Sequence, residues 1–192
     1  MDETHFISLL KSKDPTAFHE LVDLFRDRIY NTSLGLLHDL EDAEDITQEV
    51  FIEVFQSIDG FRGRSKLTTW IYRITVQKSL EVIRKRNRKK RSAKIYSLFG
   101  KEDMISATSD SPFYHPGVRL ENKERSSILF KAISRLPENQ QAAYTLHKIE
   151  NLSYAEIAEI IKVSISSVES LMFRAKQNLQ KSLSDYYEKN EK

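Results

Sequence analysis

Apolar residues recur every third or fourth position along most of this 192-residue chain, and no run alternates long enough for a sheet, so the pattern predicts helices. Asp14-Pro15 has the form of a helix start, an N-cap followed by proline at the first helical position. Phe18, Leu21, Val22, Phe25 and Ile29 then repeat at helical spacing. A second helix is expected from about Asp42 to Ile58, since Ile46, Val50, Val54 and Ile58 return every fourth residue with Phe51 and Phe55 beside them. Asp45, Gln48, Glu49 and Glu53 fall on its opposite face, which should be wet. Gly60 and Gly63 end this segment. Ser65 is placed to cap a helix carrying Leu67, Trp70, Ile71 and Ile74, and Leu80, Val82 and Ile83 lead into another that ends as a basic run.

From Ser92 to about Arg119 the periodicity fades, and SATSDSPFYHPG brings together two of the four prolines with serine, threonine and glycine, the composition of a linker. Helical pattern returns with Ile128, Leu129, Ala132, Ile133 and Leu136 and breaks at Pro137. Three short helices are expected after it, at about 138–149, 154–161 and 165–181. Ser153 with Glu156 and Ser166 with Glu169 have the spacing of capping boxes at the start of the last two.

Charge changes this picture more than composition does. The net charge is only +2 and the hydrophobic content 40%, enough for one core or two small ones. Between Asp39 and Gly60, however, lie eight acids (Asp39, Glu41, Asp42, Glu44, Asp45, Glu49, Glu53, Asp59) and no base. Between Phe61 and Lys94 lie thirteen bases and one acid, Glu81. A polyanion is attracted to the second segment through counterion release and repelled by the first, so two partners are implied. The absence of cysteine excludes disulfides and thiolate metal sites. The opening MDETHFISLLKSKD lacks a basic signal-peptide start, and no apolar stretch approaches the roughly 20 residues of a membrane span, so a soluble cytoplasmic protein is expected.

Three constellations carry candidate chemistry. Near the C-terminus, Ile157, Ala158 and Ile161, a turn, and then Val168, Leu171, Met172, Ala175 and Leu179 have the layout of a helix-turn-helix. That packing points Ser166, Ser167, Glu169, Ser170, Arg174 and Gln177 outward, toward a major groove or, in an ordinary helical hairpin, toward water. In the middle, RKRNRKKRSAK (84–94) holds eight bases. Upstream of it Phe61, Trp70 and Tyr72 stand among Arg62, Arg64, Lys66 and Arg73, aromatic faces with cations, as unstacked bases require. Trp70 also has the spacing of a core residue with Leu67 and Ile74. On the acidic helix Asp45, Gln48 and Glu49 form a strip of acceptors, suited to a basic protein partner or simply to solvent. Catalysis finds no phosphate-cradling glycine loop and no cysteine, and His5, His19, His38, His115 and His147 make no metal-ligand pair; no catalytic residue, metal or cofactor is expected.

The stretches DAEDITQEVFIEVF (42–55), FRGRSKLTTWIYRITVQKSLEVIRKR (61–86), LPENQQAAYTLHKIENLSYAEIAEIIKVS (136–164) and SSVESLMFRAKQNL (166–179) resemble, in order and spacing, bacterial RNA polymerase sigma factors of the extracytoplasmic-function type of the sigma-70 family. The resemblance implies an all-α subunit of two small helical domains, residues 1–94 and 120–192, the second a helix-turn-helix, joined by a flexible linker at 95–119. Such a subunit docks on core polymerase, recognises two promoter elements and opens the minus-ten one. It implies polymerase binding by Asp42, Asp45, Gln48 and Glu49, which lie on the coiled coil of the largest subunit. It implies minus-ten DNA binding by Arg64, Lys66, Trp70, Arg73, Gln77, Lys78, Ser79, Arg84 and Arg88, with Gln77 to Ser79 where a loop captures a flipped base. Minus-thirty-five binding falls to Ser164, Ser166, Ser167, Glu169, Ser170 and Arg174.

Core polymerase, promoter DNA and an anti-sigma protein are the partners implied, without membrane insertion. Gln77 and Glu81 depart from the asparagine and aspartate common in the family, and Glu169 and Leu171 from basic residues. Lys162 replaces the usual turn glycine, which implies either a left-handed residue costing on the order of 1 kcal/mol or a rearranged turn. A stand-alone duplex-binding regulator, the competing reading, leaves the acidic helix and the aromatic-basic segment unexplained. The free chain is expected to be compact, its DNA-reading faces masked.

Overall fold

The computed structural model describes residues 2–98 and 123–190. Among them are eight α-helices and no strand: α1 (Glu3–Lys11), α2 (Pro15–Leu37), α3 (Leu40–Ser57), α4 (Leu67–Leu98), α5 (Lys123–Ile133), α6 (Glu138–Lys148), α7 (Tyr154–Ile161) and α8 (Ile165–Asn190). Asp14 caps α2 as expected, its Oδ1 accepting from the Ala17 N–H at 2.8 Å with Pro15 in the first turn. α2 stops at His38, whose φ of 54° is left-handed, and Asp39 Oδ1 accepts from Asp42 N–H at 3.0 Å to start α3.

The first four helices converge on one core. Leu10 of α1, Leu21 and Ile29 of α2, Val50 and Val54 of α3 and Ile71 of α4 are all within a few per cent of full burial. Fully burying one such side chain contributes roughly 1.5–3 kcal/mol, and this row of contacts is what orients α3 and α4 side by side. In the C-terminal half, Ala142, Ala143 and Leu146 of α6, Ile157 and Ala158 of α7 and Val168 and Met172 of α8 form a second core. Ala132, Ile133 and Leu136 close against Ala175 and Leu179 in a third cluster. The second core does not end at the C-terminal half, because Leu36, Tyr72, Val76 and Leu80 belong to it as well.

Several expectations need correction. The two helices read between Leu67 and the basic run are one: no glycine or proline interrupts Leu67–Leu98, and the apparent break at Leu80 is a change of neighbour, not of direction. Ile71 faces the first core while Tyr72, Val76 and Leu80 face the second. Ser65 is not the cap of α4; the Glu3 carboxylate accepts from the Leu67 N–H at 2.9 Å. α4 continues past Ser92 to Leu98, and the rest of the expected linker, 99–119, lies outside the described residues. Ser164, not Ser166, starts α8, accepting from the Ser167 N–H at 3.1 Å, and α8 runs well beyond 181. The capping box at α7 is present, Ser153 and Glu156 exchanging hydrogen bonds. α1 is too short for its apolar pattern to stand out in the sequence.

Candidate functional site

The acidic strip lies where its helical spacing put it. Asp45, Gln48 and Glu49 are exposed on α3, and Asp42, one turn earlier, is half-buried against Arg86 of α4. Arg86 also lies 3.5 Å from Asp39 and donates to the Leu37 carbonyl at 3.2 Å. It thus ties the end of α2 and the start of α3 to the basic helix. Two apolar side chains extend the strip: Ile52 is 55% and Phe55 47% exposed. Positions 45, 48, 52 and 55 share one helical face, a signal present in the sequence, although the place of Phe55 beside the Ile46–Ile58 row suggests a core residue. Its ring instead packs edge-on against Phe18 with centroids 4.8 Å apart, under the Lys13 ammonium at 4.7 Å.

The basic segment is less open than expected. Of its aromatic residues, Phe61 and Tyr72 are buried at 5% and 3% exposure, leaving Trp70. Trp70 is half-buried, tilted against Phe61 at 5.1 Å, and forms with Gly60, Phe61, Arg62, Arg64, Ser65 and Arg73 a small cavity of about 230 Å³. Part of the ring is therefore packed against the first core, as its spacing with Leu67 and Ile74 suggested, and part is open to solvent. Arg64 and Lys66 are exposed. Arg73 is half-buried, its Nη2 donating to the Glu159 carbonyl of α7 at 2.8 Å.

Gln77, Lys78 and Ser79 do not form a loop, since all three lie inside α4. Gln77 is exposed and donates to Glu81 at 3.2 Å. Lys78 reaches Glu49 of the acidic strip at 3.3 Å and Glu53 at 3.9 Å. Ser79 is fully buried and offers nothing to an incoming base in this arrangement. Farther along, Lys78, Arg84, Lys85 and Arg88 line a cleft of about 740 Å³ with Glu49 and Glu138. Arg84 is held by Glu138 at 2.8 Å, and Arg88 is exposed.

In the helix-turn-helix, Ile157, Ala158, Val168, Met172 and Ala175 are buried. Ser164, Ser166, Glu169, Ser170 and Arg174 are exposed, with Ser167 half-buried. The turn keeps the residue that replaces glycine: Lys162 has φ 57° and ψ 51°, so the left-handed alternative is the one adopted. The serine cluster is partly self-satisfied, with Ser164 Oγ 3.0 Å from Ser166 Oγ and 2.8 Å from Ser167 Oγ, and Ser170 Oγ donating to the Ser166 carbonyl. Ile165 and Phe173, 50% and 63% exposed, add apolar surface to α8 that the helix-turn-helix pattern leaves unassigned.

Titration follows burial where the halves meet. Burial, reinforced by the Arg86 charge, lowers His38 to about 4 from an ordinary 6.5. The Tyr72 hydroxyl donates to Glu150 Oε2 at 2.5 Å; burial and that hydrogen bond push the phenol up. Burial also raises the Glu150 carboxyl, with the Tyr72 bond pulling the other way. No group of three or more histidine or carboxylate side chains that could hold a metal occurs among the described residues. No helix among them is long and apolar enough to cross a membrane.

Comparison with known proteins matches both halves. Residues 21–89 fit the family model for sigma-70 region 2, and residues 126–179 the model for sigma-70 region 4. The chain is 30% identical over 180 residues to the ECF RNA polymerase sigma factor SigW of Bacillus subtilis, covering 93% of this chain and 95% of the relative. It is 32% identical over 187 residues to the ECF RNA polymerase sigma-E factor of Haemophilus influenzae, covering 91% of each. In fold it is similar to CnrH, solved in complex with the cytosolic domain of CnrY, at a TM-score of 0.66 and 18% identity over 95% of this chain and 97% of that one. It is likewise similar to RpoE of Bartonella quintana, solved with the anti-sigma factor NepR, at a TM-score of 0.64 and 22% identity over 87% and 96%.

Proposed function

Because this chain belongs to the extracytoplasmic-function sigma factors of the sigma-70 family, we propose that its acidic helix docks core RNA polymerase while its basic helix and its helix-turn-helix read two promoter elements. As a sigma factor, the chain binds core RNA polymerase, directs it to specific promoters and promotes strand opening. It carries out no reaction of its own in this reading and acts in the cytoplasm, where the polymerase is.

The observation that carries the assignment is the pairing of one region match per half with opposite charge on adjacent helices, α3 acidic and exposed, α4 basic. Asp45, Gln48 and Glu49 form the docking strip for a basic polymerase surface, with Asp42 set by Arg86 behind them. Trp70, Arg64, Lys66, Arg73, Arg84 and Arg88 supply stacking and cations to the opened minus-ten strand. Ser164, Ser166, Ser167, Glu169, Ser170 and Arg174 present α8 to the minus-thirty-five duplex. An anti-sigma protein is the third partner assigned, by similarity to RpoE, which is solved with one.

The test is run-off transcription of genomic fragments by the chain with core polymerase. Replacing Asp45 and Glu49 together with lysine should abolish competition for core while leaving the helical signal intact, because both side chains are exposed. A doubly reversed variant that competes like wild type overturns the docking assignment.

A further inference from the structure

The turn of the helix-turn-helix holds a residue that its backbone does not favour. Lys162, at φ 57° and ψ 51°, is left-handed, a region that a side chain with a Cβ disfavours and glycine enters freely. The surrounding hydrogen bonds fix it there. Its own N–H and that of Val163 both reach the Ala158 carbonyl, which closes α7, and Ser164 Oγ accepts from the Ser167 N–H to open α8. Glycine would give the same turn without the strain, so what lysine adds lies in its side chain.

That side chain is exposed, and none of the ion pairs among the described residues includes it. The dipole of α7 does not account for it, because Glu159, in the same last turn, is exposed and acidic where a base would suit the carbonyl end. Charge along the motif does. Between Lys148 and Arg174 the sequence has one base, Lys162, against Glu150, Glu156, Glu159 and Glu169. Glu150 is bound to Tyr72 and Glu156 is held in its capping box, but Glu159 and Glu169 are exposed, one on each helix. Arg174 stands about two and a half turns down α8 from Ile165, or about 14 Å along the axis. Without Lys162 the first turn of α8, with Ser164, Ser166 and Ser167, would meet phosphate with two exposed carboxylates nearby and no cation of its own motif beside it.

We propose that Lys162 is a phosphate-binding residue of the helix-turn-helix, its ammonium holding a backbone phosphate beside the start of α8 and so setting that helix in the minus-thirty-five groove. This rests on the sigma-factor reading and adds to it a residue outside the outward face of α8. A compact charge on a flexible stem suits a phosphate, and such a contact fixes register and orientation while carrying no sequence information of its own. The left-handed backbone is retained because the turn is the place from which a cation reaches the strand next to the recognition helix.

The experiment uses the full chain with core polymerase, titrated against a promoter duplex recovered by run-off transcription, across a series of salt concentrations. Lys162→Gly should raise the melting temperature of the free chain by about 2–4 °C, because the strain is gone. It should nevertheless weaken duplex binding, and the slope of log affinity against log salt should become shallower by about 0.9. The ratio of wild-type to variant affinity should accordingly narrow by about threefold between about 50 and about 200 mM salt. Lys162→Gln, which keeps the strain and loses the charge, should show the same DNA defect without the gain in stability, and Lys162→Arg should keep the wild-type affinity and slope. Wild-type affinity, or an unchanged salt slope, in the glycine and glutamine variants overturns the phosphate contact and, with wild-type transcription intact, leaves the sigma-factor reading standing. Failure of the wild-type chain to direct transcription at all overturns that reading, and the role of Lys162 with it.

Discussion

His38 should make the stability of this protein depend on pH in a defined window. Its folded value of about 4 against an ordinary 6.5 means that the folded chain keeps the imidazole neutral while the unfolded chain protonates it. Above pH 6.5 both states are neutral and His38 contributes its full share. As pH falls from 6.5 toward 4 the unfolded state binds a proton that the folded state refuses, so stability is lost by about 1.4 kcal/mol per pH unit. The total is roughly 3 kcal/mol at the lower end and about 2 kcal/mol near pH 5, a large part of a typical folding free energy.

The perturbation is His38→Asn, because asparagine tolerates the left-handed backbone at this position and does not titrate. Urea unfolding of both proteins at about pH 7.5 and about pH 5 gives the difference of differences. Wild type should lose about 2 kcal/mol more than the variant over that interval. Carboxylates such as Glu150, whose raised value favours the folded state toward acid, act in both proteins and cancel. A wild-type minus variant difference that does not change with pH would refute the argument, because it would place the imidazole proton in the same state in folded and unfolded chains.

Three further outcomes are expected. Leu146→Ala should destabilise by about 2–5 kcal/mol in thermal or urea unfolding, since Leu146 is fully buried in the core shared by both halves. Trp70→Ala should reduce permanganate-detected promoter opening more than closed-complex formation, as stacking helps only after bases separate; equal losses in both assays count against it. Arg174→Ala should weaken duplex binding by holoenzyme by roughly 1–3 kcal/mol if the exposed guanidinium pairs with a guanine edge, and unchanged binding would remove Arg174 from the reading set.

Where one periodicity met one neighbour, the chain was legible. α3, α6 and α7 each present one main apolar stripe to one core, and the starts of α2, α6 and α7 follow from Asp14-Pro15, Pro137 and the Ser153 box. α4 misleads because two neighbours impose two stripes, with Ile71 and Leu80 pointing different ways along one helix. The loop at Gln77 to Ser79 came from the resemblance and not from the periodicity, and α4 runs unbroken through all three residues. The acidic strip and the outward face of α8 were readable because solvent exposure follows directly from burying the opposite side. How α2 meets α6 was not readable. Gly35 against Ile149 is a pairing across more than a hundred residues that no local pattern contains, and Gln141, which donates to the Leu36 carbonyl at the end of α2, lies on α6.

The unbroken α4 has a consequence for how this molecule melts. One rigid rod is a wall of the first core through Ile71 and of the second through Tyr72, Val76 and Leu80. While the halves are together, neither core can come apart without uncovering the other's wall, so calorimetry of the free chain should show one cooperative transition whose calorimetric and van't Hoff enthalpies agree. Once the halves separate, the rod remains with the N-terminal core and the helix-turn-helix keeps only what α5 to α8 bury among themselves. The two should then melt apart, the smaller unit at lower temperature, and the number of heat-capacity peaks becomes a count of how many proteins the chain is at that moment.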